Sequence, residues 1–162
     1  MKRTCALLLG FLAATLWSPA TWALDAEMAL GFAELFEPVH GVKAGKALHM
    51  IGPDELVERV KKGESIVPLD VRTPAEVGFY GMTMSGALAM PINELFKLEN
   101  LELIPTDKMV LVICKSGTRA TAAGTALRYL GFDNVYVLKG GLGALAGYLN
   151  PKTANLPPVK TE

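Results

Sequence analysis

The stretch that most restricts the fold is "MVLVI", residues 109–113, which runs straight into Cys114. Every side chain in it is apolar, so a strand here would have no wet face. A strand buried on both sides belongs inside a parallel sheet that helices cover above and below. The neighbouring segments repeat the same grammar. "ALHMI" (47–51), "SIVPLDV" (65–71), "GALAM" (86–90) and "VYVL" (135–138) read as further strands. Between them stand helical segments: "PDELVERVKKG" with proline in its first turn and glycine at its end, "TPAEVGFYG" with Thr73 as N-cap, and the short "PINELFKL". "TRATAAGTALRYLG" (118–131) is the clearest helix, placing Ala123, Leu127 and Leu130 on one face, and "GGLGALAGYL" follows the last strand. The alternation predicts one α/β domain with helices on both faces of a mainly parallel sheet. Pro68 is the discordant residue, because a central strand rarely tolerates a missing N–H.

The ends of the chain read differently. Lys2 and Arg3 precede an apolar run from Ala6 to Trp17, broken by Ser18-Pro19 and followed by small residues up to Ala23. This is the pattern of a secretory signal peptide over residues 1–23, which places the protein in the periplasm or another exported compartment. An uncleaved anchor is the alternative, although the run is shorter than the about 20 residues that a span requires. Residues 24–46 form an amphipathic helix, stopped by Pro38, and a linker. The domain proper spans 47–149, and residues 150–162, poor in apolar content, are expected to be a flexible tail. Cleavage after Ala23 removes two basic residues and no acidic one from a chain of net charge zero, leaving a slightly acidic protein without the basic field that nucleic acid requires. It also removes Cys5, one of the two cysteines. Cys114 is then a lone thiol, which is buried and inert, paired between chains, or reactive.

Its position favours reactivity. In open α/β sheets ligands gather beyond the carboxyl ends of the strands, where Cys114 falls. Lys115, Ser116, Gly117 and Thr118 join it to the helix that begins near Arg119. Gly117 permits the left-handed turn that makes successive N–H groups converge, and the unpaired amides and dipole of the helix start add partial positive charge. Such surroundings favour the thiolate. The competing reading is a plain strand-to-helix connection in which the cysteine fills space.

"CKSGTRA" after a buried strand resembles the active-site loop of the rhodanese family. Three more segments agree in order: "PLDVRTPAEV" is similar to its Asp-x-Arg segment, "SGALAMPINEL" to its glycine-alanine strand and helix, and "LGFDNVYVLKGG" to its closing strand and glycine pair. The likeness covers residues 47–149. It implies a five-stranded parallel sheet and sulfane-sulfur transfer through a persulfide on Cys114. Lys115, Ser116, Gly117, Thr118 and Arg119 would form the cradle, Arg119 holding the loop or drawing in an anionic donor. Asp70 and Arg72 would support it as an ion pair. No metal or organic cofactor is implied. The partners would be a small sulfur-donor anion or persulfide, and a thiol or cyanide acceptor. The reading requires a thiol that solvent reaches and amides aimed at it.

Departures from the family pattern bear on the donor. Glu76 occupies a position where some thiosulfate-using relatives carry an arginine, which makes thiosulfate a doubtful natural donor. "GMTMSGA" replaces a histidine-containing stretch, leaving Met82 and Met84 as candidate pocket walls, with core packing as their alternative role. Two other functions compete. A cysteine-dependent phosphatase or arsenate reductase would use a similar cradle, but its loop is one residue longer. A non-catalytic rhodanese-like module that binds a partner or senses redox state is the second. A thioredoxin-like activity lacks its Cys-x-x-Cys, and His40 and His49 with one cysteine are too few for a structural zinc site.

Overall fold

The structure, a computed structural model, describes residues 24–159; the expected signal peptide and Cys5 lie outside them. Helix α1 (Ala26–Phe36) is capped by Asp25, whose carboxylate accepts from Met28 N. A single 3-10 turn leads into α2 (Ala44–Ala47). There follow β1 (Met50–Ile51), α3 (Pro53–Lys61), β2 (Ile66–Asp70) and α4 (Pro74–Phe79). Next come β3 (Leu88–Ala89), α5 (Ile92–Leu95), α6 (Leu98–Leu101) and β4 (Met109–Ile113). The chain continues through α7 (Thr118–Tyr129), β5 (Val135–Leu138), α8 (Gly141–Tyr148) and α9 (Pro151–Asn155).

The five strands lie in the order β1-β5-β4-β2-β3, and every pairing is parallel. Strand β4 is central, as its composition demands. Its side chains alternate between two cores: Val110, Val112 and Cys114 pack with Ala120, Ala123 and Leu127 of α7, whereas Leu111 and Ile113 pack with Leu56 of α3 and Leu145 of α8. The unbroken apolar run is thus two alternating patterns laid over each other.

Pro68 is accommodated by the stagger of the strands. Val71 N bonds to Ile113 O on the β4 side, and Met90 N bonds to Asp70 O on the β3 side. Even-numbered residues of β2 therefore face β3, but β3 begins its register only at Leu69–Leu88. The missing donor points to a place where no ladder partner exists.

Several local expectations are corrected. "ALHMI" holds only a two-residue strand, because α2 occupies its start and His49, at φ 54°, turns the chain just before β1. Leu130 is exposed, and the inward face of α7 is completed by Ala120 and Gly124. Within the segment expected to be a flexible tail, residues 151–155 form α9. Its start is fixed by a reciprocal capping box between Asn150 and Thr153, and Lys61 Nζ donates to Thr153 O at 2.7 Å. No helix among the described residues is long and apolar enough to cross a membrane.

Candidate active site

Cys114 is the first residue beyond β4, and the alternation of that strand sends its side chain to the α7 face of the sheet. Gly117, at φ 91° and ψ −23°, bends the loop back and caps α7. Its N–H donates to the Cys114 sulfur at 3.1 Å. Helix start, left-handed glycine and one inward-pointing amide, that of Gly117, are therefore combined at the sulfur.

The first turn of α8 closes on this loop. Leu142 N donates to Cys114 O at 2.8 Å, and Gly143 N donates to Lys115 O at 2.9 Å. Gly140 and Gly141, at φ 73° and 60°, make the approach possible. A β-carbon on Gly141 would stand 2.3 Å from Cys114 O and 2.7 Å from Gly117 N. The carbonyls of Cys114 and Lys115 are thereby tied down by the start of α8.

The thiol itself is covered. Cys114 is 1% exposed and belongs to the apolar cluster between the sheet and α7, against the expectation of a thiol that solvent reaches. The cause is the direction of the side chain, which the alternation of β4 sends into the cluster formed with Ala120 and Ala123 of α7, with the Gly117 amide against the sulfur. Lys115, Ser116 and Thr118 remain exposed, and the Ser116 and Thr118 hydroxyls lie 3.4 Å apart.

Arg119 turns away from a role as a free cation. Its Nη1 and Nη2 donate to the two oxygens of Glu76 at 2.8 and 2.7 Å. Glu76 also accepts from Thr73 N and Thr73 Oγ1, both at 3.0 Å, completing the capping box of α4. The Arg119 hydrogen bonds, with those from Thr73, hold the Glu76 carboxyl well below the usual carboxylate range. Arg119 is raised in return, foremost by Glu76 and in smaller part by the nearby Cys114. Of the two roles that the sequence allows, holding the loop is the one this geometry serves.

Asp70 and Arg72 form a buried pair at the end of the adjacent strand. Asp70 stands in register with Ile113. Arg72 Nε donates to both its oxygens at 2.9 and 3.0 Å, and Arg72 Nη2 adds a bond at 2.6 Å. Arg72 Nη2 also donates to Tyr80 O at 2.7 Å, and its guanidinium lies 4.7 Å from the centre of the Tyr80 ring. Every one of these contacts is internal to the protein. Met82 and Met84 wall a cavity of about 360 Å³ between α3 and α8, and the 114–119 loop takes no part in its lining. Among the described residues no group of three or more His, Cys, Asp or Glu side chains is placed to hold a metal ion.

The family model for the rhodanese-like domain matches residues 52–147. The chain belongs to that family. Among curated relatives, the rhodanese-like chain is 35% identical over 104 residues to a sulfurtransferase of Allochromatium vinosum, covering 64% of this chain and 94% of that one. It is 31% identical over 101 residues to the probable adenylyltransferase/sulfurtransferase MoeZ of Mycobacterium tuberculosis, covering 62% of this chain but only 25% of MoeZ. Among solved structures, a rhodanese-related protein of Thermoplasma volcanium superposes with a TM-score of 0.54 at 30% identity, covering 64% of this chain and 95% of that one. The five-stranded parallel architecture expected from the resemblance is thus the architecture found.

Three features of this rhodanese-like site escape a reading of the sequence. The Glu76–Arg119 pair joins residues 43 positions apart. The Tyr80 carbonyl on Arg72 has no local signature. The glycine pair is visible as letters, but its function as a clasp on the Cys114 loop depends on a contact between two crossover connections. A partial signal for Glu76 exists, since Thr73-x-x-Glu76 is a capping box in sequence.

Proposed function

We propose that the protein is a sulfurtransferase or sulfane-sulfur carrier that uses Cys114 as its nucleophile. The observation that carries this reading is the Gly117 N–H aimed at the sulfur at 3.1 Å from the start of α7, a donor able to stabilise negative charge on sulfur. The Allochromatium relative is named a sulfurtransferase, and that name supports the reading.

The chemistry balances without a redox partner. The Cys114 thiolate attacks the sulfane sulfur of a donor, forming a Sγ–S bond while the donor's own bond to that sulfur breaks, and the leaving group departs with the electron pair. The outer sulfur of Cys114–S–S⁻ is then held near the loop amides. An acceptor thiolate or cyanide attacks that outer sulfur, breaks the Sγ–S bond and restores the Cys114 thiolate. Lys115, Ser116, Gly117, Thr118 and Arg119 shape the cradle, and Asp70 with Arg72 braces the neighbouring strand end. Because the thiol is covered in this conformation, each transfer requires the loop ahead of α7, residues 115–117, to open.

That burial favours a second reading, a rhodanese-like module that binds a partner without turnover. Intact-mass measurement after separate exposure to thiosulfate, polysulfide and glutathione persulfide distinguishes the two. Gain of one sulfur atom at Cys114 from any donor is the expected result, and Cys114→Ala should abolish it while the far-ultraviolet circular dichroism stays unchanged. Absence of sulfur addition from all three donors would leave only the binding module.

A further inference from the structure

The sequence follows Cys114 with two basic residues, Lys115 and Arg119, and Arg72 stands at the end of the neighbouring strand. The structure cancels most of that charge. Arg72 is spent on Asp70 inside the protein. Arg119 meets Glu76 through two parallel bonds, the geometry in which guanidinium and carboxylate fit best. Glu76 is not free to swing aside, since Thr73 holds the same carboxylate through its backbone N–H and its hydroxyl. Among the described residues Lys115 has no ion-pair partner and is exposed, so the cationic character left at the mouth comes from that lysine and from the amides of the loop. Lys139, on the loop that clasps the cradle, is likewise exposed.

We infer that Glu76 is a specificity-determining positioning residue. By neutralising Arg119 beside the thiol, it bars that cation from recruiting strongly anionic donors and reserves Cys114 for donors of low charge, such as persulfide or polysulfide chains. This goes beyond simple repulsion between a carboxylate and an anion, because Glu76 acts through the residue it pairs with. The inference rests on the sulfur-transfer reading for its biological meaning, but the charge selection it describes is a property of the thiol site and is measurable without sulfur transfer.

The test compares alkylation of Cys114 by iodoacetamide, which is neutral, and iodoacetate, which is an anion of similar size. Rates are followed by peptide mass in the full chain, in Glu76→Gln and in Glu76→Gln/Arg119→Gln. Gln retains the α4 cap but frees the Arg119 charge. The ratio of iodoacetate to iodoacetamide rates should rise by about tenfold in Glu76→Gln, as expected for one unpaired charge in the neighbourhood of the sulfur. It should return to that of the parent chain in the double variant, where the pair is neutral again. A loosened fold would speed both reagents in both variants and would not give this rise and return. An unchanged ratio in Glu76→Gln overturns the inference, as does failure of either reagent to label that variant. In parallel, Glu76→Gln should gain preference for thiosulfate over glutathione persulfide in the sulfur-addition assay. If no donor adds sulfur to the parent chain while the alkylation ratio shifts, the sulfur-transfer reading falls and charge selection by Glu76 stands.

Discussion

Gly141 has room for a hydrogen atom and nothing larger. A methyl group there would press on Cys114 O, Gly117 N and the Lys115 carbonyl carbon, all of them backbone atoms that cannot rotate away. Gly141→Ala also places a side chain at φ 60°, so overpacking and left-handed strain act together at a cost of about 2–4 kcal/mol. The expected outcome is a lowered denaturation midpoint together with loss of sulfur addition at Cys114. Retention of both would mean that the clasp is not needed. The position also shows where single-residue reasoning stops. Cys114, Gly117 and Arg119 could be chosen from the sequence because their roles follow from a strand end and a helix start six residues apart at most. The partner of Arg119 and the reason for two glycines depend on which loops the sheet order brings together, and no local pattern encodes that.

Among the elements, α1 is loosely attached. None of its residues is buried, and it meets the domain chiefly through Phe32, stacked on Tyr129 of α7 with ring centres 4.2 Å apart. Tyr129 also donates its hydroxyl hydrogen to Met28 O at 3.2 Å. Phe32→Ala should remove an aromatic pair worth about 0.5–1.5 kcal/mol and speed hydrogen exchange across residues 26–36 while β4 and α7 keep their protection. Faster exchange in β4 as well would show that α1 belongs to the cooperative core. Element boundaries were legible where a long apolar period marked them, as in α3, β4 and α7. They were not legible where a short polar signal decided the outcome. The Asn150–Thr153 capping box with Pro151 between them starts α9 without any apolar stripe, and the left-handed His49 shortens β1 although its sequence reads as extended.

At the scale of the whole molecule, stability should depend on pH through the seam between β1 and β5. His49 stands at that seam, stacked 4.7 Å from Tyr136 with Nδ1 3.0 Å from Val135 O. Burial pushes its pKa below the ordinary 6.5, opposed by the Val135 carbonyl. The folded state then holds this proton more weakly than the unfolded chain, so the His49 contribution is complete above the ordinary value and is lost as pH falls below it. Glu76 is shifted in the acidic range instead, so its contribution persists through this window. Urea unfolding at about pH 7.5 and about pH 5.5 should show lower stability at the acidic value. His49→Asn, which tolerates the left-handed backbone, should flatten the difference, and an equal slope in both proteins would remove His49 as its source. The clasp at the carboxyl ends of β4 and β5 bears on synthesis. Because Leu142 and Gly143 supply the bonds that hold the peptide groups around Cys114, a chain still emerging from the ribosome has no finished nest for sulfur until nearly the whole domain has been synthesised. Biosynthesis and the geometry around Cys114 are thereby put in sequence, with the loop fixed only late in assembly.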